Sequence, residues 1–112
     1  MHWSAVMLLC ACTQALRPLV SIRQRRGQAL RAKTNENYDA VIVGAGVGGL
    51  CTAALLARYD RRVLLVEAHD VVGGCAHSFA RGGYTCDSGP SLWAGCAQPS
   101  TSPLRQVFDA IG

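Results

Sequence analysis

The chain has 112 residues and a formal net charge of +4, and that charge is unevenly divided. Residues 1–38 hold Arg17, Arg23, Arg25, Arg26, Arg31 and Lys33 against Glu36 alone, whereas residues 39–112 hold five arginines and six acids. The basic excess therefore belongs to the amino-terminal stretch, and it gives no reason to expect nucleic-acid binding by the folded part. The six cysteines (Cys10, Cys12, Cys51, Cys75, Cys86 and Cys96) form no CxxC pair and have no metal-like spacing. Neither a metal site nor a disulfide scaffold is expected.

Ala5 to Cys12 is an apolar run too short to span a membrane as a stable helix. Thr13-Gln14-Ala15 sets small residues at −3 and −1 of a possible cleavage after Ala15, although the basic region ahead of the run is weak. Leu16 to Lys33 is rich in Arg, with Ser, Gln and Ala and no acid, which is the composition of a transit peptide. Residues 1–37 are accordingly expected to form a disordered targeting leader, signal-like and then transit-like. Such a pair resembles the two-part leaders of algae whose plastids lie inside extra membranes, and implies a plastid destination. A simple organelle transit peptide, a secretory signal and a tail without an address are the alternatives.

The folded part is expected to begin at Tyr38. Ala40 to Val43 is an apolar run that leads into Gly44-Ala45-Gly46-Val47-Gly48-Gly49, followed by a small-residue helix and a second apolar run, Val63 to Val66, which ends on Glu67. Strand, glycine turn, helix, strand and acid in this order predict the first βαβ unit of an α/β, Rossmann-like dinucleotide-binding fold. Gly44 permits the tight turn, Gly46 lets the backbone come close to a pyrophosphate, and Gly49 lets the helix lie against the sheet. With the helix starting near Gly46, the free N–H groups of Gly46, Val47, Gly48 and Gly49 and the positive dipole end point at phosphate. Glu67, at the tip of the second strand, is placed to accept the hydroxyls of an adenosine ribose, with Ala68 beside it. A carboxylate there repels a 2′-phosphate, so NADP is disfavoured.

With the leader set aside, roughly 75 residues remain, too few for a complete oxidoreductase with sheet, cofactor and substrate parts. An amino-terminal piece of a larger enzyme, or a truncated product that binds nothing, is expected. Within it, Ala53, Ala54 and Ala57 give the helix a thin face for close packing, and Cys51 reads as a small buried residue. Val63 to Val66, apolar on both faces, reads as a buried parallel strand. His77 to Ala80 and Tyr84 to Cys86 flank Arg81-Gly82-Gly83 as a hairpin. Ser102 and Pro103 read as N-cap and N1 of a last helix, with Leu104, Val107, Phe108 and Ile111 on one face and Gly112 at its end.

Two later blocks carry a resemblance. The first, Glu67 to Phe79, places the pair Gly73-Gly74 shortly after the ribose acid, and the second runs GYTCDSGPSLWAG from Gly83 to Gly95. Such a glycine pair is similar to that of flavoproteins with the glutathione-reductase-like fold, and implies a backbone approach to the pyrophosphate from its other side. Together the blocks strongly resemble the carotenoid (prolycopene) isomerases, which belong with the bacterial-type phytoene desaturases and the retinol saturases. The resemblance implies non-covalent FAD, a long polyene drawn from a membrane surface, and cis-to-trans isomerisation of poly-cis-lycopene, with desaturase or saturase chemistry as the alternative. Cys75 and Ala76 stand where many flavin amine oxidases have Arg, which argues against that branch. Catalytic residues are not identified. Ser78 reads either as a phosphate contact or as hairpin packing, Asp87 as a turn residue, His77 as a loop histidine bonded to a carbonyl or as a group near the flavin, and Trp93 as channel lining or core.

Overall fold

The computed structural model describes the backbone of residues 20–24 and the residues 37–90, 92 and 94–112. The possible cleavage after Ala15 and most of the leader lie outside the described residues, as do Ser91 and Trp93.

Three strands form a parallel sheet: β1 (Val20–Gln24), β2 (Ala40–Val43) and β3 (Val63–Glu67), in the order β1-β3-β2. The helix α1 (Val47–Arg58) connects β2 to β3 and covers one face of the sheet. The predicted βαβ unit is therefore present, and strand and helix boundaries fall where the apolar runs and the glycine turn place them. It is a small, incomplete Rossmann-like sheet. A two-stranded antiparallel hairpin follows, β4 (Ser78–Arg81) and β5 (Tyr84–Asp87), closed by Gly82-Gly83 with both φ angles positive. Glycine accepts that turn geometry without the Cβ penalty other residues meet. The last helix, α2 (Pro103–Ile111), ends at Gly112, whose N–H donates to the Phe108 carbonyl.

β1 departs from the expectation of a disordered leader. Val20 pairs with Val63 and the register continues to Gln24 beside Glu67. The sequence alternates Val-Ser-Ile-Arg, a period of two that suits a strand, but the stretch was expected to lack structure because its arginines and missing acids dominate its composition.

The core lies between sheet and helix. Ala45, Leu50, Ala53, Ala57, Val63, Leu65 and Phe108 form one buried cluster. Alanines on α1 let the helix approach the strands closely, and Phe108 of α2 closes the cluster, with Leu104 and Ile111 packed against it. Cys51, expected to be buried, is half-buried against this cluster, and burial pushes its thiol pKa up. The other sheet face is open: Val41 is 61% and Val43 85% exposed. The expectation that β3 is buried on both faces thus holds on one only. Val63 and Leu65 are buried, Leu64 and Val66 are half-buried, because no described segment covers their side of the sheet. Among the described residues, no helix is long and apolar enough to cross a membrane.

Candidate dinucleotide-binding site

The site is built where β2 and β3 end. Gly44 turns the chain out of β2 at φ +98°, in the region closed to most side chains, and its N–H donates to the Val66 carbonyl at 2.7 Å. Gly46 is the N-cap of α1, and no side chain caps the helix there. The first N–H groups of a helix have no intrahelical acceptor, so α1 presents donors and its positive dipole end at this point. A Cβ built on Gly46 or Gly48 would meet no protein atom within 4 Å. The space in front of the turn is open to a ligand. Gly49 has the opposite surroundings: a Cβ there would collide with the Gly44 carbonyl oxygen, which is the close packing of helix on turn that the motif requires.

The glycine pair reaches the same place from the other side. Gly73 N–H donates to the Ala45 carbonyl at 2.7 Å, and Gly73 forms a parallel bridge with Gly46. A Cβ on Gly74, at φ +60°, would lie 3.2 Å from the Gly46 Cα. The two glycine segments, separate in sequence, are therefore in backbone contact through Ala45, Gly46, Gly73 and Gly74.

Glu67 stands at its edge. Its Oε2 accepts the Ala45 N–H at 2.6 Å and its Oε1 accepts the His69 N–H at 2.8 Å. These amides, His69 foremost and Ala45 next, hold the carboxyl below the usual carboxylate range, so it is an anion at neutral pH. The carboxylate keeps acceptor capacity beyond these amides for a ribose hydroxyl. Ala68 follows, exposed.

Other residues resolve their alternatives differently. Ser78 Oγ donates to Asp87 Oδ1 at 2.7 Å across the hairpin, so its one O–H is engaged in packing β4 on β5. His77 Nδ1–H donates to the Gly74 carbonyl at 2.7 Å, the backbone-bonded state of a loop histidine. Its ring lies 5.2 Å from that of His69. Sequence reasoning missed that ring pair and also the part played by Ala45, whose amide and carbonyl tie Glu67 to the glycine pair. No residue signal marks Ala45, since every residue but proline offers the same backbone groups. Among the described residues no group of three or more His, Cys, Asp or Glu could hold a metal ion.

A glycine turn opening a helix, an open approach to its N-terminus and an ionised acid at the next strand end together fit a dinucleotide. Residues 42–111 match the NAD(P)-binding Rossmann-like domain, and the chain belongs to that family. It is 40% identical to an all-trans-retinol 13,14-reductase of Danio rerio over 103 residues, covering 88% of this chain and 17% of that protein. That match must enter the segment before Tyr38. The chain is also 40% identical to prolycopene isomerase 2, chloroplastic, of an Oncidium hybrid cultivar, covering 75% of this chain and 14% of that protein. With the Arabidopsis thaliana prolycopene isomerase, chloroplastic, identity is 38%, over 67% of this chain and 13% of the relative. The chain thus spans at most 17% of the length of these relatives. Their names fall within the isomerase and saturase group that the sequence blocks resemble.

Proposed function

We propose that the chain is the FAD-binding amino-terminal segment of a carotenoid cis–trans isomerase acting on poly-cis-lycopene. The observation that carries the cofactor reading is the meeting of two glycine segments in front of an uncapped helix, with Glu67 beside them. Gly46, Val47, Gly48 and Gly49 would face one side of the pyrophosphate, and Gly73 and Gly74 the other. Glu67 would accept the ribose hydroxyls, with Ala68 next to it, and Glu67 would disfavour a 2′-phosphate. Ser78 would contact phosphate only by giving up its bond to Asp87. FAD supplies the redox chemistry when bound, while the protein binds and orients it.

The prolycopene isomerase names support the polyene substrate, and their designation as chloroplastic supports a plastid destination. A polyene of this kind dissolves in lipid, so the whole enzyme would work at a membrane surface. A second reading, saturation of a retinoid, is favoured by the longer reach of the fish retinol reductase match along this chain.

One experiment separates these readings. The full-length protein is purified, reconstituted with FAD and given poly-cis-lycopene or all-trans-retinol in liposomes under reducing, anaerobic conditions. The expected result is bound flavin and cis-to-trans conversion of lycopene without net flavin oxidation. A dihydro product formed with stoichiometric flavin oxidation would move the assignment to the saturase reading, and absence of flavin absorbance would overturn the cofactor reading. Glu67→Ala is expected to weaken FAD binding by about 1.5–3 kcal/mol, the scale of hydrogen bonds to a charged group.

A further inference from the structure

We propose that Glu67 is a positioning residue for the glycine turn as well as a ribose acceptor, fixing the phosphate-facing backbone before a cofactor arrives. The inference rests on the dinucleotide reading above. Ala45 is wholly buried between Gly44 and Gly46. Its peptide groups have two partners, each from a different segment. The N–H donates to Glu67 Oε2 at 2.6 Å, and the carbonyl accepts from Gly73 N–H at 2.7 Å. The same carboxylate holds the His69 N–H through its other oxygen at 2.8 Å. One side chain thus joins the turn after β2 to the loop after β3, and Ala45 passes the connection on to the glycine pair.

A ribose would not have to displace these bonds. The two carboxylate oxygens have about four acceptor positions between them, more than the amides of His69, Ala45 and Ala68 use. Ribose hydroxyls would add to a carboxylate already held in place by the backbone, and the turn would need no rearrangement to meet the phosphates. Loss of the carboxylate would leave the buried Ala45 amide without its acceptor, a cost that falls on the turn whether or not a ribose is present. Glutamine cannot substitute fully. It keeps one accepting oxygen, and its NH2 faces an N–H that also needs an acceptor.

The two roles separate in a cycle of ligand and side chain. ADP and 2′,3′-dideoxy-ADP are titrated calorimetrically into full-length wild-type protein and Glu67→Gln. If Glu67 served the ribose alone, the substitution would leave dideoxy-ADP binding unchanged. The expected result is about a tenfold loss for dideoxy-ADP, with a larger loss for ADP. Hydrogen exchange on the ligand-free protein gives a readout independent of binding. The Ala45 and His69 amides should exchange about tenfold faster in Glu67→Gln while the Leu50 amide, bonded to the Gly46 carbonyl, keeps its protection. If Leu50 also loses protection, the variant has unfolded, and Glu67→Asp, which keeps the charge but withdraws the oxygens by one methylene, is read in the same way. Equal dideoxy-ADP affinities, or unchanged exchange at Ala45, overturn the proposal. If the wild type binds neither ligand, the dinucleotide reading fails and exchange at Ala45 alone decides the positioning role.

Discussion

At the scale of single residues, the glycines of the turn are required for different reasons. Gly44 has open space around a notional Cβ, and its constraint is the backbone itself at φ +98°. Gly49 has an ordinary helical backbone and is constrained by the Gly44 carbonyl above it. Neither substitution can be relieved by moving a flexible side chain. Gly49→Ala must push the helix away from the turn, and overpacking of this kind costs about 1–3 kcal/mol. The expected outcome is a lower urea midpoint for the full-length protein with an unchanged denaturant slope, together with weaker FAD binding because the donors at the start of α1 shift. A Gly49→Ala variant with wild-type stability would contradict the close approach described here. Cys75 and Ala76 occupy the places next to the glycine pair, so neither offers the cationic side chain an arginine would. Beside the glycine pair the ionisable neighbours include Glu67, whose carboxylate is held by backbone amides, and His69 and His77, whose rings lie 5.2 Å apart.

At the scale of elements, α1 meets the core with Leu50 and the small Ala53 and Ala57, and α2 meets it with Phe108. Among the described residues, Phe108 is the bulky aromatic of the buried cluster, which it shares with Ala53 and Ala57 of α1. Phe108→Ala is expected to destabilise the full-length protein by about 3–5 kcal/mol, the range for removing a buried aromatic, read from the shift in urea midpoint. A change under about 1 kcal/mol would show that α2 is not part of the core. β2, α1, β3 and the hairpin were legible in the sequence because each is set by a local pattern: an apolar run, a glycine turn or an alternation around Gly82-Gly83. β1 was not, because its partner lies far along the chain and its arginines spoke more loudly than its alternation. The apolar face of α2 was legible, but its partner was not, since periodicity identifies a face and not the surface it meets. Ser102 takes the N-cap position as expected, yet its hydroxyl makes no capping bond. In the site, the glycines and Glu67 were legible from spacing, whereas the connection through Ala45 depends on backbone groups that every sequence carries.

At the scale of the whole molecule, the sheet has one covered face and one open face. Val41 and Val43, with the half-buried Leu64 and Val66, leave an apolar surface where a two-sided sheet would have packing. The 112-residue polypeptide by itself is expected to bind a hydrophobic dye, to show no sharp thermal transition and to hold FAD poorly. A cooperative transition with stoichiometric flavin would refute this. The strand order carries a further consequence. Both β1 and β2 pair with β3, and not with each other. On a ribosome the middle strand is made last of the three, so until Val63–Glu67 emerges, neither of the earlier strands has the neighbour it pairs with among the described residues. Among the described strands, the first pair that can form includes β3. The sheet's assembly waits on one late segment, and the glycine turn, the helix and the acid that tie it together come into register in that same step.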